Sequence, residues 1–247
     1  MLARTRRGIA ALIDALLPHS SLTPERAAWA ACTDAAGIAQ CAGWNKAALV
    51  AEPLSRVALA AVPLRVSRDP VLACAVLASG VAAFEQERVP HAPSALGVGT
   101  LASAQAGYLT RLLQRDAAVG RVRLAVAVGA VAAGGAVAAW ADRRLLPATL
   151  IGGAAVAATA AAANDPIFRA DTNDPAREGL SHGANLLLGA EGLRLLTNAG
   201  LVGKACDAVG LPARVGERGA RAAVSWAGSI GQLLLVHGLS APAAAKN

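Results

Sequence analysis

The chain has 247 residues, of which 55% are hydrophobic, 16% are charged and 3% are aromatic, and its formal net charge is +7. This composition is too apolar and too lightly charged for an ordinary soluble domain. The positive charge comes almost wholly from arginines that lie between apolar runs without interleaved aromatic residues. That distribution favours contact with anionic headgroups and argues against nucleic acid as a partner. Because alanine is nearly neutral on insertion scales, an alanine-rich soluble helical bundle stays open as the alternative.

The N-terminal segment, residues 1–26, predicts an amphipathic helix that lies on the membrane surface. Its apolar stretch is short, is interrupted by Asp14 and is not followed by a small-residue cleavage site, so we do not interpret it as a signal peptide. The residues expected on one apolar face are Ile9, Leu12, Ile13, Leu16 and Leu17.

Residues 27–240 predict one membrane domain, an all-α polytopic bundle of about eight transmembrane helices with about 20 mostly apolar residues each. The first span is the weakest, because it contains Asp34 and Gln40. Two longer connections, near 164–178 and 203–221, are expected to be polar loops, and residues 241–247 form a C-terminal tail. The predicted spans are 27–44, 48–65, 70–86, 94–113, 123–141, 145–163, 180–200 and 222–240.

The distribution of arginines predicts that the N-terminus and the C-terminus are both cytoplasmic. With the N-terminus inside, the inner connections hold more basic residues than the outer ones, except for the last outer connection. Arginine-rich, lysine-poor and alanine-rich usage indicates a GC-rich bacterial genome, so the expected location is the bacterial plasma membrane. The exceptional outer residues are Lys204, Arg214, Arg218 and Arg221.

The four cysteines predict neither a metal site nor a disulfide framework. Cys32, Cys41, Cys74 and Cys206 form no CxxC pair and have no histidine at a metal-ligand spacing. The simplest interpretation is four small buried thiols, although one disulfide bond between two of them stays open.

Glutamates inside the apolar runs are the main functional signal of the sequence. A charge at bilayer depth costs roughly 2.5–3.5 kcal/mol on insertion scales, so such an acid usually faces a cavity, a partner or a site. The structural alternative is that each acid neutralises an arginine three or four residues later on the same helical face. The acids and these arginines are Glu52 with Arg56, Glu85 with Arg88, and Glu191 with Arg194.

Polar residues on two other spans predict that the acids share a cavity. Gln105 and Tyr108 lie on one face of the fourth span, and Ser225, Ser229 and Gln232 form a stripe on the eighth. At ~1.5 Å per residue the three glutamates all reach the outer half of one bundle. We therefore expect a wet cavity lined by carboxylates, amides and hydroxyls.

Three stretches of these spans carry a resemblance to a known family. They are GVGTLASAQAGYLTRL (97–112), GANLLLGAEGLRLL (183–196) and SIGQLLLVHGL (229–239). In order and spacing they resemble the fourth, seventh and closing spans of the lysoplasmalogenase-like (YhhN) family of eight-span membrane proteins. Tyr108 and Gln232 match that family, whereas Gln105 stands in place of a His and Glu191 in place of an Asp.

Two further stretches are similar to the family with substitutions. In AEPLSRVALAAVPL (51–64) the Pro and Leu of a Lys-Pro-Leu motif are kept, and Glu52 replaces the Lys. In AAFEQERVP (82–90) Glu85 stands against the family's other Asp, with Val81 as a competing alignment. The resemblance covers roughly residues 27 to 240, and no single motif is intact.

The resemblance implies an integral-membrane hydrolase that cleaves the vinyl ether bond of lysoplasmalogen or a related lysolipid without a cofactor. Such a reaction needs one protonated group near neutral pH and one anionic group beside an oxocarbenium-like cation. Glu191, deep among Gly and Leu, is the expected acid, and Glu85 is the base or cation stabiliser. Gln105, Tyr108, Gln232 and Glu52 are expected to bind and orient substrate or water, and no metal is expected.

Two other functions stay open at this point. The replaced Lys, His and Asp residues fit a catalytically inactive lipid-binding or scaffold protein of the same fold, and the two longer Glu side chains displace the carboxyls. Intramembrane carboxylates also fit a small transporter or proton-linked carrier. The expected partner is a membrane lipid or a lysolipid substrate.

Overall fold

In the computed structural model the described residues, 2–18, 21–89, 93–168 and 174–242, form ten α-helices and two short 3₁₀ turns, and contain no strand. The all-α fold class is therefore confirmed. The helices are α1 (Leu2–Leu16), α2 (Pro24–Ala42), α3 (Asn45–Val66), α4 (Pro70–Arg88), α5 (Ala95–Leu113), α6 (Arg121–Ala141), α7 (Leu146–Ala163), α8 (Pro175–Asn198), α9 (Leu201–Ala208) and α10 (Ala213–Ser240).

Four helical segments of the described chain are long and apolar enough to cross a membrane: α3, α6, Arg143–Ala163 (which contains α7) and α10. They indicate a membrane protein. Each of the eight predicted spans overlaps one long helix, from α2 to α8 and then α10. The predicted C-terminal tail begins just after α10, and residues 243–247 lie outside the described part of the chain.

Helix boundaries follow from capping residues in the sequence. Asp69 accepts a hydrogen bond from the backbone N–H of Leu72 at the start of α4, and Ser94 accepts one from Gly97 at the start of α5. Asp174 does the same for α8, whose first residue is proline. These side chains satisfy backbone donors that have no partner within a helix, and so they fix where each helix begins.

Consecutive long helices pack side by side and form a closed ring. The ring runs through α2, α3, α4, α5, α7, α8 and α10, and α10 returns to α2, whereas α6 lies outside it against α7. The α8–α10 contact is the closest, because a Cβ atom on Gly183 would lie 2.5 Å from the carbonyl oxygen of Gly231. Small residues let two backbones approach in this way inside an apolar bundle.

The N-terminal helix α1 packs on α8 and α10 through Ala11 and Ala15, which are fully buried. Leu12 and Leu16 pack against the core as well. The other three residues of the predicted apolar face point outward instead of into the bundle. These exposed residues are Ile9, Ile13 and Leu17.

The expectation of a polar loop at 203–221 is wrong. The helix α9 occupies its first part, and the first turns of α10 occupy its second part, so the span that begins at residue 222 continues a helix that starts at Ala213. Gly200 and Gly210, both with positive φ, make the turns on either side of α9. Gly203 is the one buried residue of α9, and no residue of α10 before Ala222 is buried, so the polar composition of this stretch resembles that of a loop.

Ion pairs hold together the end of the bundle where α3 meets α4, α5 meets α6, and α7 meets α8, which we call the paired end. Here Arg115 donates to the last carbonyls of α10, on Gly238 and Leu239, and thereby caps that helix. The opposite end is called the cavity end. The paired-end ion pairs include Arg7–Glu178, Arg65–Glu25, Arg111–Asp69 and Arg123–Asp165.

Asp165 is the most connected carboxylate of the paired end. Its oxygens accept hydrogen bonds from the backbone N–H groups of Ile167 and Ala118, at 2.9 and 2.8 Å, and from Arg123. Burial raises the pKa of the Asp165 carboxyl, but these hydrogen bonds outweigh it and hold the pKa below its usual value. Asp165 therefore fastens the α5–α6 connection to the α7–α8 connection as an anion.

We expect Asp165→Asn to destabilise the detergent-solubilised protein by about 1–3 kcal/mol, because buried donors lose their charged acceptor. Since the folded pKa lies below the unfolded one, the contribution is present above the unfolded pKa of about 3.9 and is lost as pH falls through the folded pKa. The difference in thermal midpoint between variant and wild type should thus be constant near neutral pH and shrink below about pH 4.

Asp34→Asn is the matched control, because Asp34 is exposed on α2. It should leave the thermal midpoint unchanged at every pH. A wild-type advantage over Asp165→Asn that persists undiminished at strongly acidic pH would contradict the role given to this carboxylate.

Candidate functional site

A cavity of about 220 Å³ opens at the cavity end between α4, α5, α6, α7 and α8, and we call it the outer cavity. Most of its wall is apolar or glycine, including Leu101, Gly152 and Gly153. The polar part of its lining includes Glu85, Gln86, Glu191 and Arg194. The two acids singled out from the sequence therefore line the same cavity.

Glu85 is buried near the end of α4 and is held by three hydrogen bonds. Its Oε1 accepts from Arg88 Nε at 3.0 Å, and its Oε2 accepts from Arg88 Nη2 at 2.8 Å and from Ser94 Oγ at 2.7 Å. Gly97 leaves room for this arrangement, because a Cβ there would lie 3.0 Å from the Glu85 Cβ. The carboxylate is thus charge-compensated and fixed in direction.

Glu191 is part of a bridge between α8 and α4. Arg194 Nη1 donates to Glu191 Oε1 at 2.6 Å and also to Gln86 Oε1. A bond of this kind between a carboxylate and a guanidinium is roughly twice as strong as one between neutral groups. We call these three residues the Gln86–Arg194–Glu191 bridge.

A second cavity of about 30 Å³, the inner cavity, lies behind this bridge. The three bridge residues and Leu101 line both cavities, so the bridge forms the partition between them. Glu52, Gln105 and Gln232 line only the inner cavity. Since one water needs about 10–15 Å³ of such volume, the inner cavity has room for about two waters.

Several buried polar atoms on α3, α5 and α10, three helices that contribute to the inner cavity, have no hydrogen-bond partner among the described residues. A buried polar atom without a partner costs about 1–3 kcal/mol, so these atoms favour hydration or a polar ligand group. Ser79 is different, because its Oγ donates to Gln232 Oε1 at 2.9 Å. The atoms are Arg56 Nε and Nη1, Gln105 Oε1, Tyr108 OH, Ser225 Oγ and Ser229 Oγ.

The predicted site residues therefore fall into three groups. Glu85 lines the outer cavity, Glu191 lines both, and Glu52, Gln105 and Gln232 line the inner one. Tyr108 is fully buried one turn from Gln105 but lines neither cavity. The structural alternative holds at the same time, because each acid is paired with its own arginine: Glu52–Arg56 at 3.7 Å, Glu85–Arg88 at 2.8 Å and Glu191–Arg194 at 2.6 Å.

Sequence reasoning missed Gln86 and Ser79 as lining residues. Both lie on α4, and a single polar residue in an amphipathic or apolar helix carries no directional signal of its own. Gln86 directly follows Glu85 in the sequence, but its role could have been predicted only if the rotation of α4 relative to α8 were already known.

The cysteines of the described chain are all free, and Cys41 and Cys74 are exposed. The expectation that all four are buried is therefore wrong for these two, which lie on outward faces of α2 and α4. Among the described residues no group of three or more His, Cys, Asp or Glu side chains is placed to hold a metal ion.

Comparison with known proteins finds no protein-family model, no curated protein and no solved structure that matches this chain. The resemblance to the lysoplasmalogenase-like family consequently stays a prediction that depends on the order and spacing of a few residues.

Glu52 and Arg56, both almost fully buried on α3, provide a test of the inner cavity. We expect Glu52→Gln to destabilise the protein by about 3–5 kcal/mol, because it leaves a buried guanidinium without its counter-charge. The double variant Glu52→Gln/Arg56→Met should recover most of this loss, since both charges are removed. Thermal unfolding in detergent measures both, and a single variant as stable as wild type would show that Arg56 does not depend on Glu52.

Proposed function

We propose that this chain is an eight-span membrane protein that binds a single-chain amphiphile of the lysolipid class in the outer cavity. The observation that carries the proposal is a mostly apolar cavity with a fixed charged end, made by Glu85 and the Gln86–Arg194–Glu191 bridge. An alkyl chain matches the apolar wall, and a polar headgroup matches the charged end.

The size of the outer cavity favours one chain over two. Its volume of about 220 Å³ lies below the range of about 300–1,000 Å³ typical of pockets for drug-sized ligands. A two-chain phospholipid is larger than such ligands. A single alkyl segment or one compact headgroup fits without rearrangement of the helices.

In this proposal α2 to α8 and α10 all span the bilayer. They have 18 to 28 residues, enough for about 27–42 Å at 1.5 Å per residue. Large apolar side chains on their outer faces, such as Val122, Leu124 and Val128 on α6, then contact lipid. Positive-inside reasoning puts the paired end in the cytoplasm of a bacterial cell, with α1 at the interface and its exposed Ile9 and Ile13 toward lipid.

Filling the outer cavity tests the binding proposal. Gly153 lines it, and a Cβ on Gly153 would meet no atom within 4 Å. We expect Gly153→Leu to weaken binding of a fluorescent lysolipid at least about tenfold, which corresponds to about 1.4 kcal/mol. Fluorescence titration of the purified protein in detergent measures the affinity.

Gly129→Leu on α6 is the matched control, since a Cβ there is equally unobstructed and Gly129 does not line the cavity. It should bind lysolipid as wild type does. Equal affinities for wild type and Gly153→Leu, with both proteins folded, would remove the outer cavity as the binding site.

Hydrolysis of a vinyl ether is the second candidate function, and the shared position of Glu85 and Glu191 at one cavity favours it. In that reaction a proton adds to the β-carbon, water adds to the α-carbon of the oxocarbenium ion, and the hemiacetal breaks into an alcohol and an aldehyde. The carboxylate of Glu85 could stabilise the cation, and the inner cavity could supply the water. The Glu191 carboxyl is already bound by Arg194 at 2.6 Å, which is why binding comes first in our proposal.

The hydrolase candidate predicts release of free aldehyde from lysoplasmalogen by the purified protein. Glu191→Gln should lower the rate at least about 10²-fold, the typical contribution of one acid–base group, under saturating lysoplasmalogen. Coupled aldehyde oxidation measures the rate. If the wild type binds lysoplasmalogen but releases no aldehyde, the hydrolase candidate is wrong and only the binding function remains.

A further inference from the structure

A row of arginines on the first turns of α10 lines a separate trough of about 130 Å³ at the cavity end. Arg214, Arg218 and Arg221 follow one another at spacings of four and three residues, so they share one helical face. Gln40, Gly43 and Asn45, at the turn between α2 and α3, form the opposite wall. The trough and the outer cavity share no lining residue.

Arg221 interacts electrostatically with Glu87, which lines a small void together with it, whereas Arg214 and Arg218 have no such partner among the residues that the structure describes. None of the three makes a hydrogen bond or an ion pair there. One carboxylate, Glu217, lines the trough, and it turns toward α9, where its Oε1 would lie 2.7 Å from a Cβ on Gly203. The lining of the trough carries three positive charges and one negative charge, a net charge of +2, and Glu87 adds one negative charge next to Arg221.

Two other acids near the trough accept hydrogen bonds from neutral donors. Asp207 Oδ1 accepts from the backbone N–H of Ala213 at 3.1 Å, and Glu87 Oε2 accepts from Gln40 Nε2 at 2.6 Å. Positive charges at the start of a helix are also unfavourable, because the helix dipole is positive at that end. An anion in the trough would relieve both the repulsion among the arginines and this dipole effect.

The backbone of the α2–α3 turn holds Arg218 in place. Gly43 ends α2 with φ +76, and a Cβ there would lie 2.6–2.8 Å from the guanidinium atoms of Arg218. The guanidinium therefore lies close against the Gly43 backbone, at the C-terminal end of α2. Its planar donor edge stays available for two-point contact with phosphate oxygens.

The length of α10 places the trough at headgroup height. Its 28 residues span about 42 Å at 1.5 Å per residue, more than the hydrocarbon core of about 30 Å. The stretch from Ala222 to Ser240, which holds the buried residues of α10, is long enough to cross that core. The arginines before it then lie in the headgroup layer.

From these observations we infer that the trough is a binding site for a phosphate group, carried by an anionic lipid headgroup or present as free phosphate. It requires no amphiphile in the outer cavity. A small void of about 20 Å³, whose lining includes Arg221, Glu87 and Arg194, lies between the trough and the Gln86–Arg194–Glu191 bridge. Arg221 lines both the trough and this void, so a phosphate bound in the trough lies close to Arg194 of the bridge.

The test uses the full-length protein in maltoside micelles, which contain no phosphate, and titrates two probes by calorimetry at constant ionic strength. The probes are inorganic phosphate and short-chain phosphatidylglycerol. The triple variant Arg214→Gln/Arg218→Gln/Arg221→Gln should weaken binding at least about tenfold, because it removes the charge-assisted hydrogen bonds. Arg143→Gln/Arg144→Gln is the control, since both arginines are exposed near the same end, and it should change affinity less than about twofold.

The source of the phosphate follows from the two probes: binding of both indicates a general phosphate site, and binding of phosphatidylglycerol alone indicates a lipid site. If the triple variant does not fold, Arg218→Gln alone carries the test, with an expected loss of several-fold. The inference is overturned if wild type binds neither probe, if the arginine variants bind as wild type does, or if the control loses as much affinity as the triple variant. Gly153→Leu, which fills the outer cavity, should leave phosphate binding unchanged and so separates this inference from the proposed function.

Discussion

Contact between the backbones of α8 and α10 is the constraint on which the site depends. Gly183 and Gly231 face each other so closely that a Cβ on either would lie within 3 Å of the other's carbonyl oxygen, and Gly238 meets Ala176 in the same way. This contact sets the distance between the two helices along most of their length. It brings Gln232 of α10 and Glu191 of α8 to the same inner cavity, and it closes the ring of helices around that cavity.

Charge in this bundle is organised at two levels. Each glutamate of the site is neutralised by an arginine on its own helix, so each helix carries little net charge through the apolar region. The pairs are then brought together around two cavities by the packing of the ring. The structural and the functional interpretations of the glutamates are therefore compatible. Pairing with an arginine lowers the free-energy cost of burying each carboxylate, and the packing of the helices gathers the pairs into the polar lining of the cavities.

The fold could be predicted from the sequence to a useful degree, because long apolar runs with prolines and acidic caps at their ends specify where helices start and stop. All eight predicted spans overlap a long helix, and the shared cavity of Glu85 and Glu191 follows from their depth along α4 and α8. Which way a side chain faces was harder to predict. Cys41 and Cys74 are exposed and Tyr108 lines no cavity, since an alanine-rich helix has similar residues on all sides and its rotation is decided by neighbours.

The position of α6 outside the ring has a consequence for how a ligand reaches the outer cavity. Three of its 21 residues are buried, it packs chiefly on α7, and Ala130, Val131 and Gly134 form part of the cavity wall. A wall helix with so few neighbours costs little to displace sideways. If the outer cavity binds an amphiphile as proposed, we expect its exchange through a lateral portal beside α6, directly from one leaflet, at a rate that depends on how tightly the surrounding lipids are packed.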